Sequence, residues 1–158
     1  VEDAVTPRPD ASDVLRGPNI LVIVVDQERA RRWFPDGAVL SALNVGSRLG
    51  VQGAPLLVPA DAAGQARLLD QLRDMNVRLV DGQGAALGGG KGSDVLGHPL
   101  NAVVWLAQAL KAQGLALRPG QVVSLGSFSA LLPPKAGLKV TVHYDGVPGL
   151  QPATVSFK

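Results

Sequence analysis

Apolar and polar residues alternate along several short stretches of the chain, as they do in strands with one buried face. Residues 76–80 and 138–144 follow this two-residue period most clearly. Residues 20–26 form a β-branched run, which is typical of a strand buried on both faces. The strands predicted from these patterns and from the turn residues around them are 20–26, 50–59, 76–80, 85–87, 121–125, 138–144 and 153–157.

Three other stretches favour helices. Residues 61–73 have apolar positions near a 3.6-residue spacing, and the residues expected on the buried face are Ala62, Ala66, Leu69 and Leu72. A second helix is predicted to begin at Pro99 and to end before Gly114, because proline suits the first helical position and glycine the end. Its expected apolar stripe is Leu100, Val103, Val104 and Ala107. Residues 38–49 predict a third, weaker helix.

Turn residues separate these elements. Residues 1–18 contain three prolines and are interpreted as an irregular lead-in. Asp81-Gly82 predicts a hairpin between residues 76–80 and 85–87. Residues 88–92 read Gly-Gly-Gly-Lys-Gly and have almost no backbone preference. They are interpreted either as a flexible turn or, around residues 90–93, as backbone that approaches a ligand closely.

Composition narrows the class of protein. The chain has 158 residues, of which 46% are hydrophobic and 18% are charged, with 15 Lys and Arg against 13 Asp and Glu. These values favour one soluble globular domain over a disordered chain. The longest apolar run, residues 20–25, is far shorter than the roughly 20 residues that cross a bilayer, so no membrane span is expected. Aromatic residues make up 4% and the basic residues are scattered, which argues against a nucleic-acid partner.

The absence of cysteine excludes disulfides, thiolate catalysis and Cys-ligated metal sites, but it leaves the compartment open. The chain begins at Val1 without a basic and apolar leader, so removal of an N-terminal segment by processing is one expectation. The glycine run does not fit the phosphate-loop pattern, since Ala85 stands where a glycine is needed and Gly92 where Ser or Thr is needed. A nucleotide site is therefore not expected.

Candidate chemistry rests on few side chains. His98 lies at the predicted start of the second helix, where free N–H groups and the helix dipole favour an anion, so it is interpreted either as a ligand contact or as a capping residue. His143 falls on the polar face of its predicted strand and is expected to be solvated. Asp26 and Glu28 lie on one face if the strand persists, so they either share a metal or form a solvated turn.

An ordered set of short motifs resembles one family of enzymes. The segments that carry the resemblance are NVGSRLG (44–50), GSDVLGHPLNAVVWLA (92–107), LRPG (117–120), SLGS (124–127), YDGVPG (144–149) and VSF (155–157). Together they resemble the 2-keto-4-pentenoate hydratase / 4-oxalocrotonate decarboxylase family of the fumarylacetoacetate hydrolase superfamily, over residues 36–157.

The resemblance implies an α+β fold, namely a mixed β roll or sandwich of the fumarylacetoacetate hydrolase C-terminal-domain type with a few flanking helices. Residues 19–158 would then form a single hydratase-like domain, incomplete at its N-terminal side. The implied function is that of a lyase for a small 2-keto or 2-hydroxy-dienoic acid, with Mg²⁺ or Mn²⁺ as Lewis acid. The implied setting is the cytoplasm, and the implied partners are a small carboxylic acid and a second copy or companion subunit.

The chain departs from the family at the metal ligands. The family's paired acidic ligands belong to a segment upstream of this chain, and its later glutamate aligns with Ile23, which cannot bind a metal. A catalytically silent hydratase fold that binds a small acid or a partner subunit is therefore the alternative function. No metal ligand is assigned beyond the weak candidates Asp26 and Glu28, and no catalytic residue is assigned. The predicted substrate-binding residues are Asn44, Gly92, His98, Ser124, Gly126 and Ser127.

Overall fold

The computed structural model describes residues 20–21, 51–130 and 132–158. Two helices and a four-stranded antiparallel sheet form its main part, together with a two-residue strand pair. The elements in chain order are β1 (Ile20–Leu21), β2 (Leu56–Leu57), α1 (Ala62–Asp74), β3 (Asn76–Val80), β4 (Ala86–Lys91), a 3-10 turn (Gly92–Asp94), α2 (Leu100–Ala112), β5 (Lys139–Asp145) and β6 (Ala153–Ser156). This arrangement confirms the α+β class predicted above.

The main sheet has the strand order β4-β3-β5-β6, and every pair in it is antiparallel. The predicted alternation is confirmed, because Val77 of β3 and its partner Tyr144 of β5 are both buried. The other face is polar. Arg78 lies opposite His143 there, and its guanidinium pairs with Asp145, which lowers the pKa of that carboxyl group. His143 therefore lies on the polar face, as its position in the strand predicts.

Helix α1 confirms the predicted element but presents a different face to the core. Asp61 caps it, since its Oδ1 accepts a hydrogen bond from the N–H of Gly64 at 2.7 Å. The buried residues are Gly64, Leu68 and Leu72, whereas Ala62 and Ala66 are exposed. Burial of leucine removes more apolar surface than burial of alanine, so the helix turns its leucines inward. The prediction for Ala62 and Ala66 was wrong, and that for Leu72 is confirmed.

Helix α2 begins after Pro99, as predicted, and the chain leaves it through Gly114 with φ +73°. Leu100 is fully buried, and Val103 packs against the core with part of its surface exposed. The apolar stripe of α2 is shorter than predicted, because Ala107 is exposed. Trp105, on another side of the helix, is 64% exposed. No helix among the described residues is long and apolar enough to cross a membrane.

Two predicted strands were wrong or too long. Residues 121–125 form no strand, and no strand among the described residues provides them with a hydrogen-bonding partner, although Leu125 is buried. Of residues 50–59, only Leu56–Leu57 form a strand, flanked by Pro55 and Pro59, which have no N–H to donate. The predicted strand 20–26 is confirmed for Ile20 and Leu21, which pair with β2. Its remaining residues, the lead-in 1–18 and the helix 38–49 lie outside the described residues.

Tyr144 provides a test of the core. Its ring is buried, and its hydroxyl group has no hydrogen-bond partner among the described residues. We expect Tyr144→Phe to raise the free energy of unfolding by about 1 kcal/mol, because an unsatisfied buried polar group is removed. Urea titration at neutral pH measures this change, and a loss of stability instead would contradict it.

The same residue predicts a dependence on alkaline pH. Burial raises the pKa of Tyr144 from 10.0 to about 12. Between these two pKa values, the folded state retains a proton that the unfolded state releases. The contribution of the protonated tyrosine to the free energy of unfolding is therefore fully present below pH 10 and is lost as the pH rises toward 12. The Phe variant lacks this loss, and its advantage over the wild type should grow between these pH values.

Candidate functional site

The glycine run forms strand β4 rather than a flexible turn, so that interpretation was wrong. Gly88 and Gly90 lie opposite Leu79 and Val77 of β3, on the side of the sheet that faces the core. A methyl group on Gly90 would overlap the carbonyl oxygen of Phe128 and would lie 3.0 Å from Asp94 Oδ2. Glycine is needed here because another part of the same chain approaches closely. We call Gly88–Gly90 and the overlying residues 128–129 the glycine shelf.

A hydroxyl-bearing turn borders the glycine shelf. The Oγ of Ser127 donates a hydrogen bond to the carbonyl oxygen of Ser129 at 2.7 Å and accepts one from the Ser129 N–H at 3.3 Å. The Oγ of Ser129 donates to the carbonyl oxygen of Ala130 at 3.0 Å. Each hydroxyl group thus uses its proton within the turn and retains acceptor capacity. Ser127 is exposed, so its oxygen is accessible from outside the shelf.

The end of β4 is fixed against the end of α1. Gly92 is buried, and its N–H donates to the carbonyl oxygen of Met75 at 2.9 Å. A methyl group there would overlap the carbonyl oxygen of Leu72. Next to it, Asp94 Oδ2 accepts a hydrogen bond from the Lys91 N–H at 2.7 Å. The predicted residue Gly92 therefore contacts the core of its own chain.

His98 connects the two helices through both ring nitrogens. Its Nε2 lies 3.0 Å from the carbonyl oxygen of Leu69, and its Nδ1 accepts a hydrogen bond from the Leu100 N–H at 3.1 Å. Because a carbonyl oxygen can only accept, Nε2 must carry the proton, and this arrangement suits the neutral ring. The geometry matches the capping interpretation of His98. A ligand-contact role for it stays a prediction.

The turn before α2 holds His98 in place. Leu96 and Gly97 both adopt left-handed backbone conformations, with φ +53° and +77°. The side-chain amide of Asn101 donates to the carbonyl oxygen of Leu96 at 2.8 Å, and this bond stabilises the conformation that a leucine rarely adopts. The His98 N–H donates to the carbonyl oxygen of Val95 at 3.1 Å. Local hydrogen bonds therefore set the orientation of the imidazole ring.

Charged groups surround the ends of α1 and β4. Hydrogen bonding to Arg73 lowers the pKa of Asp74, partly opposed by desolvation, and the positive charges of Arg73 and Lys91 lower it further. Arg73 also pairs with Asp70 at 3.0 Å. In the described part of the chain, no group of three or more His, Asp or Glu side chains could hold a metal ion. The described residues therefore do not fit the metal that the family resemblance implies.

The predicted substrate-binding residues that the structure describes lie in three separate places. Ser127 borders the glycine shelf, and Gly92 and His98 contact the last turns of α1. Ser124 and Gly126 line an open groove between α2 and residues 115–126, which we call the α2 groove. Asn44 and the two metal candidates, Asp26 and Glu28, lie outside the described residues. Residues 128–129 thus lie over the glycine shelf, whereas His98 faces α1.

The α2 groove has a volume of about 1150 Å³ and was not found from the sequence. Its walls are largely apolar and include Trp105, Leu110 and Val122. Arg118 supplies the one charged side chain among its lining residues. The motif LRPG at 117–120 was noted only for its family likeness. The sequence offered one signal for this groove, namely the charged residue Arg118 directly after the apolar residues 115–117.

Curated proteins resemble part of this chain. A 2-hydroxyhexa-2,4-dienoate hydratase from Comamonas testosteroni is 41% identical over 64 residues, which is 40% of this chain and 24% of that protein. A 2-keto-4-pentenoate hydratase from Burkholderia vietnamiensis is 39% identical over 64 residues, with the same coverage. A 4-oxalocrotonate decarboxylase from a Pseudomonas species is 29% identical over 99 residues, which is 57% of this chain and 38% of that protein. No family model matches the chain.

Solved structures extend the likeness along the chain. The 4-oxalocrotonate decarboxylase from Pseudomonas putida G7, complexed with calcium and acetate, matches with a TM-score of 0.76 and 25% identity, covering 97% of this chain and 54% of that one. Its complex with magnesium and adipate gives a TM-score of 0.77 with the same identity and coverage. This chain therefore spans about a quarter to two fifths of these curated relatives and about half of the solved protein.

These comparisons confirm the resemblance drawn from the sequence motifs. The sequence matches are to hydratases and a decarboxylase, and the structural matches are to a decarboxylase. Each match covers only part of the relative's length. Over part of their length, the chain is therefore similar in sequence and in structure to proteins of the 2-keto-4-pentenoate hydratase / 4-oxalocrotonate decarboxylase family.

Proposed function

We propose that this protein is a hydratase-like (lyase) domain for a small 2-keto or 2-hydroxy-dienoic acid. The observation that carries the proposal is the structural likeness to a decarboxylase whose solved forms hold a divalent cation and a carboxylic acid. Residues 19–158 would form one domain, and the sheet would be part of the β roll of the fumarylacetoacetate hydrolase C-terminal-domain type. A second copy or a companion subunit would be its protein partner.

The proposed acid site is the border of the glycine shelf. Ser127 offers an exposed hydroxyl oxygen there, and the neighbouring Ser129 contributes a second hydroxyl group beside Gly88. Serine hydroxyl groups can hydrogen-bond to a carboxylate. The other predicted binding residues lie outside this acid site and stay predictions: Gly92 and His98 at the end of α1, Ser124 and Gly126 in the α2 groove, and Asn44 in the family-like segment.

Only the family resemblance implies a metal ion for this protein. Mg²⁺ or Mn²⁺ would polarise the keto or enol oxygen of such an acid. The described residues do not gather enough oxygen ligands for it, so we derive no step through the metal. This same observation favours the second candidate function, a catalytically silent hydratase fold that binds a small acid or a partner subunit.

Loss of diene absorbance of 2-hydroxypenta-2,4-dienoate, followed with added Mn²⁺, separates the two functions. We expect this chain alone to turn over very slowly, because a developing enolate lacks its strongest electrostatic partner when no metal is well held. Metal-dependent turnover at about 1 per second or faster would overturn this expectation and the silent alternative together.

Binding is tested separately by titrating pyruvate or adipate against the amide NMR spectrum. We expect the resonances of Gly88, Ser127 and Ser129 to shift together, whereas a Ser127→Ala variant should respond more weakly. Asp81 follows β3 at the hairpin turn of the same sheet, so its resonance serves as an internal control. Shifts spread over the arginines would indicate nonspecific anion binding and would contradict the proposed site.

A further inference from the structure

The α2 groove has the properties of a binding site that is separate from the proposed acid site. It lies between α2 and residues 115–126, and its apolar walls remain open to solvent. Trp105 is 64% exposed, and Leu115 and Val122 are each 54% exposed. These three large side chains line one surface, and exposed apolar residues gathered in this way mark interaction sites more often than single ones do.

Charge distinguishes the chemistry of the groove from that of a plain apolar surface. Arg118 is the one charged residue among the lining residues, which include no carboxylate. In the described part of the chain, no Asp or Glu forms an ion pair with Arg118. The side chain of Gln121 accepts a hydrogen bond from the Arg118 N–H at 2.6 Å, which fixes the backbone of Arg118, and the residue is exposed.

We propose that the α2 groove binds an amphipathic carboxylic acid, with its apolar body against Trp105 and the neighbouring leucines and its carboxylate paired with Arg118. Arginine holds a carboxylate through two parallel hydrogen bonds, which no neutral group in the groove can replace. The apolar body loses contact with water against the indole ring, and this burial favours acids with longer tails. An uncharged or cationic ligand of the same length lacks the ion pair.

This inference goes beyond the proposed function, since binding in the groove needs neither a metal nor turnover. Ser124 and Gly126 line one end of the groove, but the assignment rests on Arg118 and Trp105. Absence of turnover in the hydratase assay would therefore not affect the inference about the groove. Failure of groove binding would likewise leave the proposed acid site at the glycine shelf unaffected, because Ser127 and Ser129 do not line the groove.

Metal-free NMR titrations of the full chain with hexanoate, acetate and hexylamine test the inference. We expect hexanoate to give saturable shifts at Trp105, Leu110 and Val122, and acetate and hexylamine to bind at least about tenfold more weakly. Arg118→Gln should weaken hexanoate binding by about tenfold, whereas Arg118→Lys should restore part of it. Arg67→Gln serves as the matched control, because Arg67 is an exposed arginine on α1 that does not line the groove.

Three results would overturn the inference. Equal binding of hexanoate and hexylamine would mean that the groove takes apolar chains regardless of charge. An unchanged affinity in Arg118→Gln would place the acid elsewhere. Groove resonances that broaden with protein concentration and do not respond to hexanoate would show that a second copy of the chain occupies the groove.

Discussion

Gly90→Ala is expected to lower the free energy of unfolding by about 3 kcal/mol, because its methyl group would overlap the carbonyl oxygen of Phe128. The obstacle is backbone, which cannot rotate away as a side chain can. The residues on both sides of the contact would have to move, and the Asp94 carboxylate lies close to the same point. Urea denaturation followed by far-UV circular dichroism measures the loss.

Gly88→Ala is the matched control for that substitution. Gly88 lies two residues earlier on the same strand and face, and a methyl group there would lie 3.5 Å from the Cβ of Ser129, an ordinary contact. We expect this variant to change stability by less than about 1 kcal/mol. Similar losses in both variants would mean that alanine is disfavoured throughout β4 and that the close approach of Phe128 does not explain Gly90.

Leu72→Ala is expected to cost about 2 to 5 kcal/mol of stability. Leu72 has no exposed surface and packs in the hydrophobic core, and its carbonyl oxygen faces Gly92 at the end of β4. Removal of its side chain leaves a cavity between α1 and the sheet, which the surrounding residues fill only in part. Thermal or chemical denaturation quantifies the loss.

The same substitution at an exposed leucine provides the comparison. Leu57 is 80% exposed, so Leu57→Ala should change stability by less than about 0.5 kcal/mol. Comparable losses at the two positions would show that Leu72 does not anchor α1 to the sheet. A large loss at Leu72 alone would support the packing of α1 described above.

Local patterns in the sequence were sufficient to predict the strands that bury only one face. Residues 76–80 and 138–144 alternate because one side of each strand is buried, and the sheet confirms both. The cap at Asp61 and the stop at Gly114 are also local signals, since each acts through its own backbone. Such features need no knowledge of distant residues.

The errors arose where distant residues decide the structure. Residues 88–90 become a strand because β3 pairs with them and Phe128 covers them, and a run of glycines carries no trace of either contact. Residues 121–125 have a composition typical of strands, but none of the strands in the described ranges lies beside them. The face of α1 depends on which side chains fill the space above the sheet, so periodicity alone placed it wrongly for Ala62 and Ala66.

The candidate site could be predicted only in part for the same reason. The position of His98 at the start of α2 followed from Pro99, but its bond to Leu69 requires knowledge of how the helices pack. Ser127 was found through a family-like motif, and its proximity to the glycine shelf came from the fold. The role of Arg118 could not be read from the sequence, because only the groove shows that no carboxylate lies beside it among the lining residues.

The strand order β4-β3-β5-β6 also has a consequence for the folding pathway. Strands β3 and β4 are joined by the short turn at Asp81, so their hairpin closes quickly and at little entropic cost. Pairing of β3 with β5 must instead close a loop that contains all of α2 and the α2 groove. Formation of this non-local pair is therefore expected to be slower than closure of the hairpin, and slower folding would be expected of variants that weaken the pairing of β3 with β5.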